Sequence, residues 1–196
     1  MQGETFSAGK NRMTIYYDRG RVAGKDKNIE TRVSGSGGGG YSYQGTGGSA
    51  PISITSTTII HDKIYLQKDD GKERAVELTN WDVACREGND MLVTWIIPEG
   101  KEKGSYVGIK NITNGSELFN DDAIRDLANQ DFIKNKALKY FTLIAALFLL
   151  YSIGKGIMLF IGIAGFIAYE IYIRNKNKEA GWVIRNYLKQ LLDANN

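Results

Sequence analysis

His61 and Asp62 stand side by side in a β-branched run, and Cys85 precedes Arg86; these are the two places in the 196-residue chain with candidates for acid–base or nucleophilic chemistry. A histidine can move a proton near neutral pH, and an arginine beside a cysteine can favour its thiolate. Neither pair has the companions such chemistry needs. The chain has one histidine and one cysteine, which excludes a Cys/His zinc site, an internal disulfide and a Cys-x-x-Cys redox motif. No activated nucleophile with its base stands in motif form. The sequence therefore predicts a satisfied strand or turn histidine at 61 and a small buried filler at 85. Gly35, Gly37 and Gly40 spell G-x-G-x-x-G, yet no apolar helix follows to receive a pyrophosphate. Asp69, Asp70 and Glu73 lack the spacing of a calcium loop. The expectation is a chain that is not an enzyme, with no catalytic residue, no metal and no cofactor.

What must be positioned is instead an apolar stretch. Residues 137–173 carry only Lys139, Lys155 and Glu170 as charged side chains. As one straight helix they would span about 55 Å, against a hydrocarbon thickness of about 30 Å. Ser152-Ile153-Gly154-Lys155-Gly156 interrupts the stretch with two glycines and an ammonium, so the sequence predicts a transmembrane hairpin with spans 137–153 and 156–173. Lys134, Lys136 and Lys139 flank the first span, and Arg174, Lys176 and Lys178 follow the second. Basic residues at span ends stay on the cytoplasmic side, which predicts both termini there. The opening MQGETFSAGKNR has no apolar run, so no secretory signal is expected. Glu170 is four residues before Arg174 and is expected to pair with it along the helix. Ala164 and Ala168 form a small-xxx-small pair, with Gly162 and Gly165 nearby, which predicts close helix packing within the hairpin or between chains.

Before the hairpin the chain is β-rich. Residues 34–50 hold eight glycines in seventeen positions, a linker or long hairpin loop in which Tyr41 and Tyr43 are possible docking residues. Period-two, β-branched runs at 52–55, 57–67, 74–79, 91–97 and 106–112 predict strands. Turns at Asp69-Asp70-Gly71, Pro98-Glu99-Gly100 and Asn114-Gly115 suit successive antiparallel hairpins. Together they predict a small antiparallel barrel or sandwich over 51–118, with 1–33 adding a β segment through 13–17 and 28–33. The expected core is Ile59, Ile64, Leu66, Val76, Leu78, Val93, Trp95, Ile97, Val107 and Ile109. Residues 119–136, capped at Asn120 or Asp121, are expected to form a stalk helix running into the first span. Residues 174–196 read as a cytoplasmic amphipathic helix, with Val183, Ile184, Tyr187, Leu188, Leu191 and Leu192 on one side.

Charge by region excludes one partner class. Residues 1–33 are net +3, 34–136 net −4 and 137–196 net +4. The main β segment is acidic, whereas duplex binding needs a concentrated basic face, so nucleic acid is not an expected partner. The glycine tract, HDKIYLQKDDGKE, VACREGNDMLVTWII and YVGIKNITNG, followed by a hairpin of hydrophobic helices, resembles uncharacterised bacterial inner-membrane proteins with a small cytosolic β domain. The resemblance covers about residues 30–175 and implies a bacterial inner membrane; it carries over no activity or site. The sequence thus predicts an α+β membrane protein, a membrane-anchored binding or scaffold module whose partners are the bilayer and a protein or a second copy. The other expectation is a ligand-gated effector that permeabilises the membrane as an oligomer.

Overall fold

Alternation of buried and exposed residues marks only the first half of the strand Asn11–Ser36, which is far longer than its apolar residues announce. The computed structural model describes residues 3–38, 40–43, 46–49, 51–131, 133 and 135–195. Among them the order is β1 (Glu4–Ala8), β2 (Asn11–Ser36), β3 (Gly40–Tyr43), β4 (Thr46–Ser49), β5 (Ser53–Gln67), β6 (Glu73–Thr79), β7 (Asp90–Pro98), β8 (Ser105–Asn111), β9 (Ser116–Phe119), α1 (Asp121–Leu127) and α2 (Lys136–Ala194). Seven strands form an antiparallel sheet in the order β6-β5-β2-β7-β8-β9, with β1 also on β2. The fold is α+β.

The small antiparallel β domain expected from the sequence is present as this sheet. β2 and β5 stay in register from Lys25↔Ile64 out to Ser36↔Ser53, whereas β6 accompanies β5 only over 61–67. The remainder is a two-stranded arm. Within the glycine tract, β3 and β4 pair with each other as a separate two-stranded sheet, Tyr41↔Gly48 and Tyr43↔Thr46. The side chains of Tyr41 and Tyr43, like all of Lys134, lie outside the described residues.

The chain divides into two compact units, Met1–Asp18 with Leu92–Lys110 and Gly115–Asn196, and Arg19–Met91 with Asn111–Asn114. In the second, Val22, Ile64, Leu66, Val76, Leu78 and Val83 are buried. Buried Asp62 pins the loop after β6: its Oδ1 is 3.3 Å from Lys25 Nζ and its Oδ2 accepts from Val83 N at 3.3 Å. In the first unit Met13, Ile15, Leu92, Val93, Ile96, Val107 and Ile109 are buried with Ile184, Leu188 and Leu192 of α2. Of the expected core, Ile59 and Ile97 are only half-buried.

The amphipathic C-terminal stretch is the last part of α2, docked on the sheet of its own unit. Tyr187 stacks on Phe6 with ring centroids 4.5 Å apart. Lys110 Nζ, from β8, donates to Leu192 O and Asp193 Oδ1 at 3.2 Å and lies 3.1 Å from Glu117 Oε1. Burial works against the Lys110 ammonium, but the bonds to Glu117 and Asp193 outweigh it and raise its pKa. This satisfies a carbonyl at the helix end, where cations are favoured.

The expected stalk does not form. Asn120 Oδ1 caps α1 by accepting from Ala123 N at 2.9 Å, but α1 ends at Ala128 and α2 begins anew with Asn135 Oδ1 accepting from Leu138 N. Between them Asn129 and Asn177 side chains take the N–H groups of Asp131 and Gln130. Such local side-chain bonds compete with helix continuation.

The Tyr187 hydroxyl donates to Glu4 Oε2 at 2.5 Å. That bond, with burial adding to it, pushes the phenol pKa up to about 12. The protonated phenol is the donor, so its contribution is complete below the unfolded value of about 10 and lost as pH rises from about 10 to about 12. Denaturant unfolding across that window should show wild-type stability falling more steeply than that of Tyr187→Phe; parallel curves would contradict the assignment.

Candidate membrane-proximal site

α2 is continuous in hydrogen bonding yet does not run straight. A straight helix would hold Lys139 and Glu170 about 46 Å apart and Leu150 and Gly162 about 18 Å apart, at 1.5 Å per residue. Instead Lys139 Nζ lies 2.6 Å from Glu170 Oε1. A Cβ on Gly162 would come within 2.7 Å of Leu150 Cδ1 and 3.0 Å of Leu147 Cδ2. A cavity of about 450 Å³ is bounded by Leu143 and Ala146 on one side and Phe166 and Tyr169 on the other. The helix therefore doubles back, and the midpoints of the two pairs fall at about residues 155 and 156, within the Gly154-Lys155-Gly156 break. Glycine at 162 lets the arms touch, as small residues do between packed helices.

Outside this seam the arms are uncovered. Phe141, Phe148, Ile157 and Phe160 are each at least 70% exposed. Lys136–Gly154 is long and apolar enough to cross a bilayer, and none of it is buried. It is the only such stretch among the described residues.

At the open end of the hairpin the chemistry turns polar. Lys139 sits between two carboxylates, 2.9 Å from Asp131 Oδ1 and 2.6 Å from Glu170 Oε1, with its ammonium 5.6 Å from the Tyr169 ring centre. Glu170 thus reaches across to the other arm, not along its own helix to Arg174. Next to this triad lies a collar built on Gln130, a buried side chain whose Oε1 accepts from Lys10 N at 2.8 Å. Its Nε2 donates to Ala8 O and Ala128 O at 3.1 and 3.0 Å. Gly9 at the β1–β2 turn has φ +62 and faces the carboxamide so closely that a Cβ would collide with it. Asn11 Nδ2 donates to Leu127 O and Asn129 O, and Lys10 Nζ to Gln130 O and Asp131 O. The β1–β2 turn is thereby bonded to the connection that launches the apolar arms.

A cleft of about 470 Å³ opens beside the collar. Ile124, Ala128 and Ile173 supply apolar wall; Arg125, Arg174 and Lys178 supply cations. Trp182, 67% exposed, stands at the same cleft. Asp121, Asp131 and Glu170 line the same cleft, so charge of both signs surrounds its apolar wall.

The residues singled out in sequence fall as follows. Lys139 forms the triad, Arg174 and Lys178 line the cleft, Lys176 pairs with Glu179 at 2.9 Å, and Lys136 is exposed at the start of α2. Gly162 is at the arm contact, whereas Ala164, Gly165 and Ala168 face outward. His61, 44% exposed, has its Nε2 3.4 Å from Glu30 Oε2 on the β arm. Cys85 is half-buried, and burial pushes its thiol up, with the Lys25 ammonium opposing the shift and the Asp62 carboxylate adding to it. Among the described residues no group of acids, histidine and cysteine is arranged to hold a metal. Sequence reading missed Gln130, Asp131 and Asn177; the crowding of Asn and Gln in NQDFIKN was the only signal for the first two, and Asn177 had none.

Comparison with known protein families, curated proteins and solved structures finds no match to this chain.

Gln130→Leu removes the partners of the Lys10 N–H and the Ala8 carbonyl at a buried junction. It should cost about 3 kcal/mol of unfolding free energy, measured by chemical denaturation of the full chain in detergent. A change within about 0.5 kcal/mol would show that the collar is not structural.

Proposed function

We propose that the chain is a non-enzymatic, membrane-anchored binding or scaffold module. The two arms of α2 cross the bilayer as a hairpin, and the β domain is presented at the cytoplasmic face, of a bacterial inner membrane as the resemblance implies. The observation that carries this is the uncovered apolar surface of both arms, where Phe141, Phe148, Ile157 and Phe160 stand exposed, whereas the end of α2 buries Ile184, Leu188 and Leu192. A patch of that extent is covered by lipid or another chain, and hydrocarbon tolerates it along a helix because the backbone is internally bonded. The basic residues at the open end agree with retention on the cytoplasmic side, where each gains about 1 kcal/mol near anionic lipid. The docked tail keeps the C-terminal segment on the same side as the sheet it packs against. The expected occupants are lipid around the arms and a protein partner or second copy at the β domain.

One observation favours a second reading, an effector that permeabilises the membrane by assembling its hairpins. Ala164, Gly165 and Ala168 form an outward-facing small stripe through which hairpins could associate. Dye leakage on expression, abolished by Ala164→Leu, would select it over the anchor.

In a Cys85→Ser background, Gly156→Cys at the reversal should react with an impermeant maleimide applied to intact cells. Glu77→Cys on β6 should react only after permeabilisation, and the protein should stay in the pellet after alkaline carbonate extraction. Labelling of Glu77→Cys in intact cells, or release by carbonate, would overturn the two-span anchor.

A further inference from the structure

The β2–β5 arm leaves one main-chain edge open, and its sequence is complementary to itself. β7 accompanies β2 only as far as Val22, where Val22 N donates to Asn89 O and Gly88 N to Val22 O. Beyond it, among the described residues, nothing is bonded to the outer edge of β2 over 29–35. Direction follows from β5: Asn80 N donates to Ile60 O and Ile60 N to Asn80 Oδ1, so Ile60 turns its peptide groups away from β2. Its cross-strand partner is Ile29. In an antiparallel ladder such non-bonded pairs alternate with bonded ones. Ile29, Thr31, Val33 and Gly35 therefore aim their N–H and C=O groups at the open edge. Their neighbours Glu30, Arg32 and Ser34 bond to β5.

The run Ile29-Glu30-Thr31-Arg32-Val33 reads apolar, acid, neutral, base, apolar. We propose that this edge pairs with the same edge of a second copy, antiparallel about a two-fold axis through Thr31. In that register Thr31 faces the partner's Thr31, and Ile29 faces the partner's Val33 on both sides of the axis, each pair exchanging two hydrogen bonds. On the opposite face Glu30 lies against the partner's Arg32, twice. Centring the axis on residue 30 sets Glu30 against Glu30, and centring it on 32 sets Arg32 against Arg32; like charges directly opposite destabilise. Within one chain Glu30 already holds Arg32 at 2.7 Å, so the dimer exchanges its two intrachain pairs for two cross-strand ones. Pairing also covers Ile29 and Val33, which are 59% and 67% exposed. β5 offers no comparable code: its residues 53–60 carry no charge to fix a register. An open edge without a covering device is the usual template for strand addition.

The surface lies on the β arm and stands whether or not the α2 hairpin enters a bilayer. In full-length Cys85→Ser protein in mild detergent, Thr31→Cys should oxidise to a disulfide-linked dimer, because bonded pairs bring Cα atoms to about 5.5 Å. Ile29→Cys should not, since its copies would lie about 13 Å apart along the strands. Light scattering should give a dimer for the unmodified chain. Arg32→Glu should weaken it at least tenfold, and adding Glu30→Arg should restore it. Equal crosslinking of Thr31→Cys and Ile29→Cys would overturn the register. A dimer unaffected by Arg32→Glu, as association through α2 would give, would overturn the interface.

Discussion

Apolar side chains on two antiparallel helical arms find no cover among the described residues, and the proposed function depends on that fact. Elsewhere the sheet buries most of its aliphatic residues, with Ile29, Val33 and Ile54 of the β2–β5 arm exposed, and the end of α2 buries its own against the sheet of its unit. Between 136 and 173 the reverse holds. Exposed Phe141, Phe148 and Phe160 would each cost on the order of 2 kcal/mol in water relative to burial. In the membrane-anchored reading proposed above, hydrocarbon is the medium that accepts such residues.

Polar chemistry marks where that medium must stop. Lys139, Asp131 and Glu170 form one triad at the open end of the hairpin, joining the arms by charge where Gly162, Leu147 and Leu150 join them by contact. The Gln130 collar bonds the same end to the β1–β2 turn, with its carboxamide satisfied by main-chain groups. Docking of Ile184, Leu188 and Leu192 then fixes the returning helix to the sheet of its unit. As the anchor proposed above, a hairpin connected by three kinds of interaction is better suited to hold the sheet of its unit against a bilayer than to let it swing on a tether.

Sequence made the apolar segments and most strands visible because their periods are strong and local. The reversal near Gly154 and Gly156, the Asn120 cap and the amphipathic tail were all legible. Eight of the ten expected core residues are buried, including Ile64, Leu66 and Val107. Three things were hidden. β2 continues through Asp18-Arg19-Gly20 and Gly24, where buried positions change parity and a register shift falls between Val22 and Gly24, so no single alternation spans it. The glycine tract pairs with itself over β3 and β4, where composition left a linker and a long hairpin loop as equal alternatives. Glu170 finds a partner thirty-one residues away, and helix-surface spacing rules point only to neighbours such as Arg174. Long-range polar closure of this kind leaves almost no local mark.

Depth-resolved accessibility of spin labels at Phe148 and Phe160 in liposomes measures the central claim most directly. With both arms in hydrocarbon, labels at the two positions should collide readily with oxygen and be shielded from a water-soluble nickel chelate, and a label at Glu77 should show the opposite. Strong nickel relaxation at 148 and 160, or protection from both reagents, would mean that water or protein covers the arms and that the membrane account is wrong.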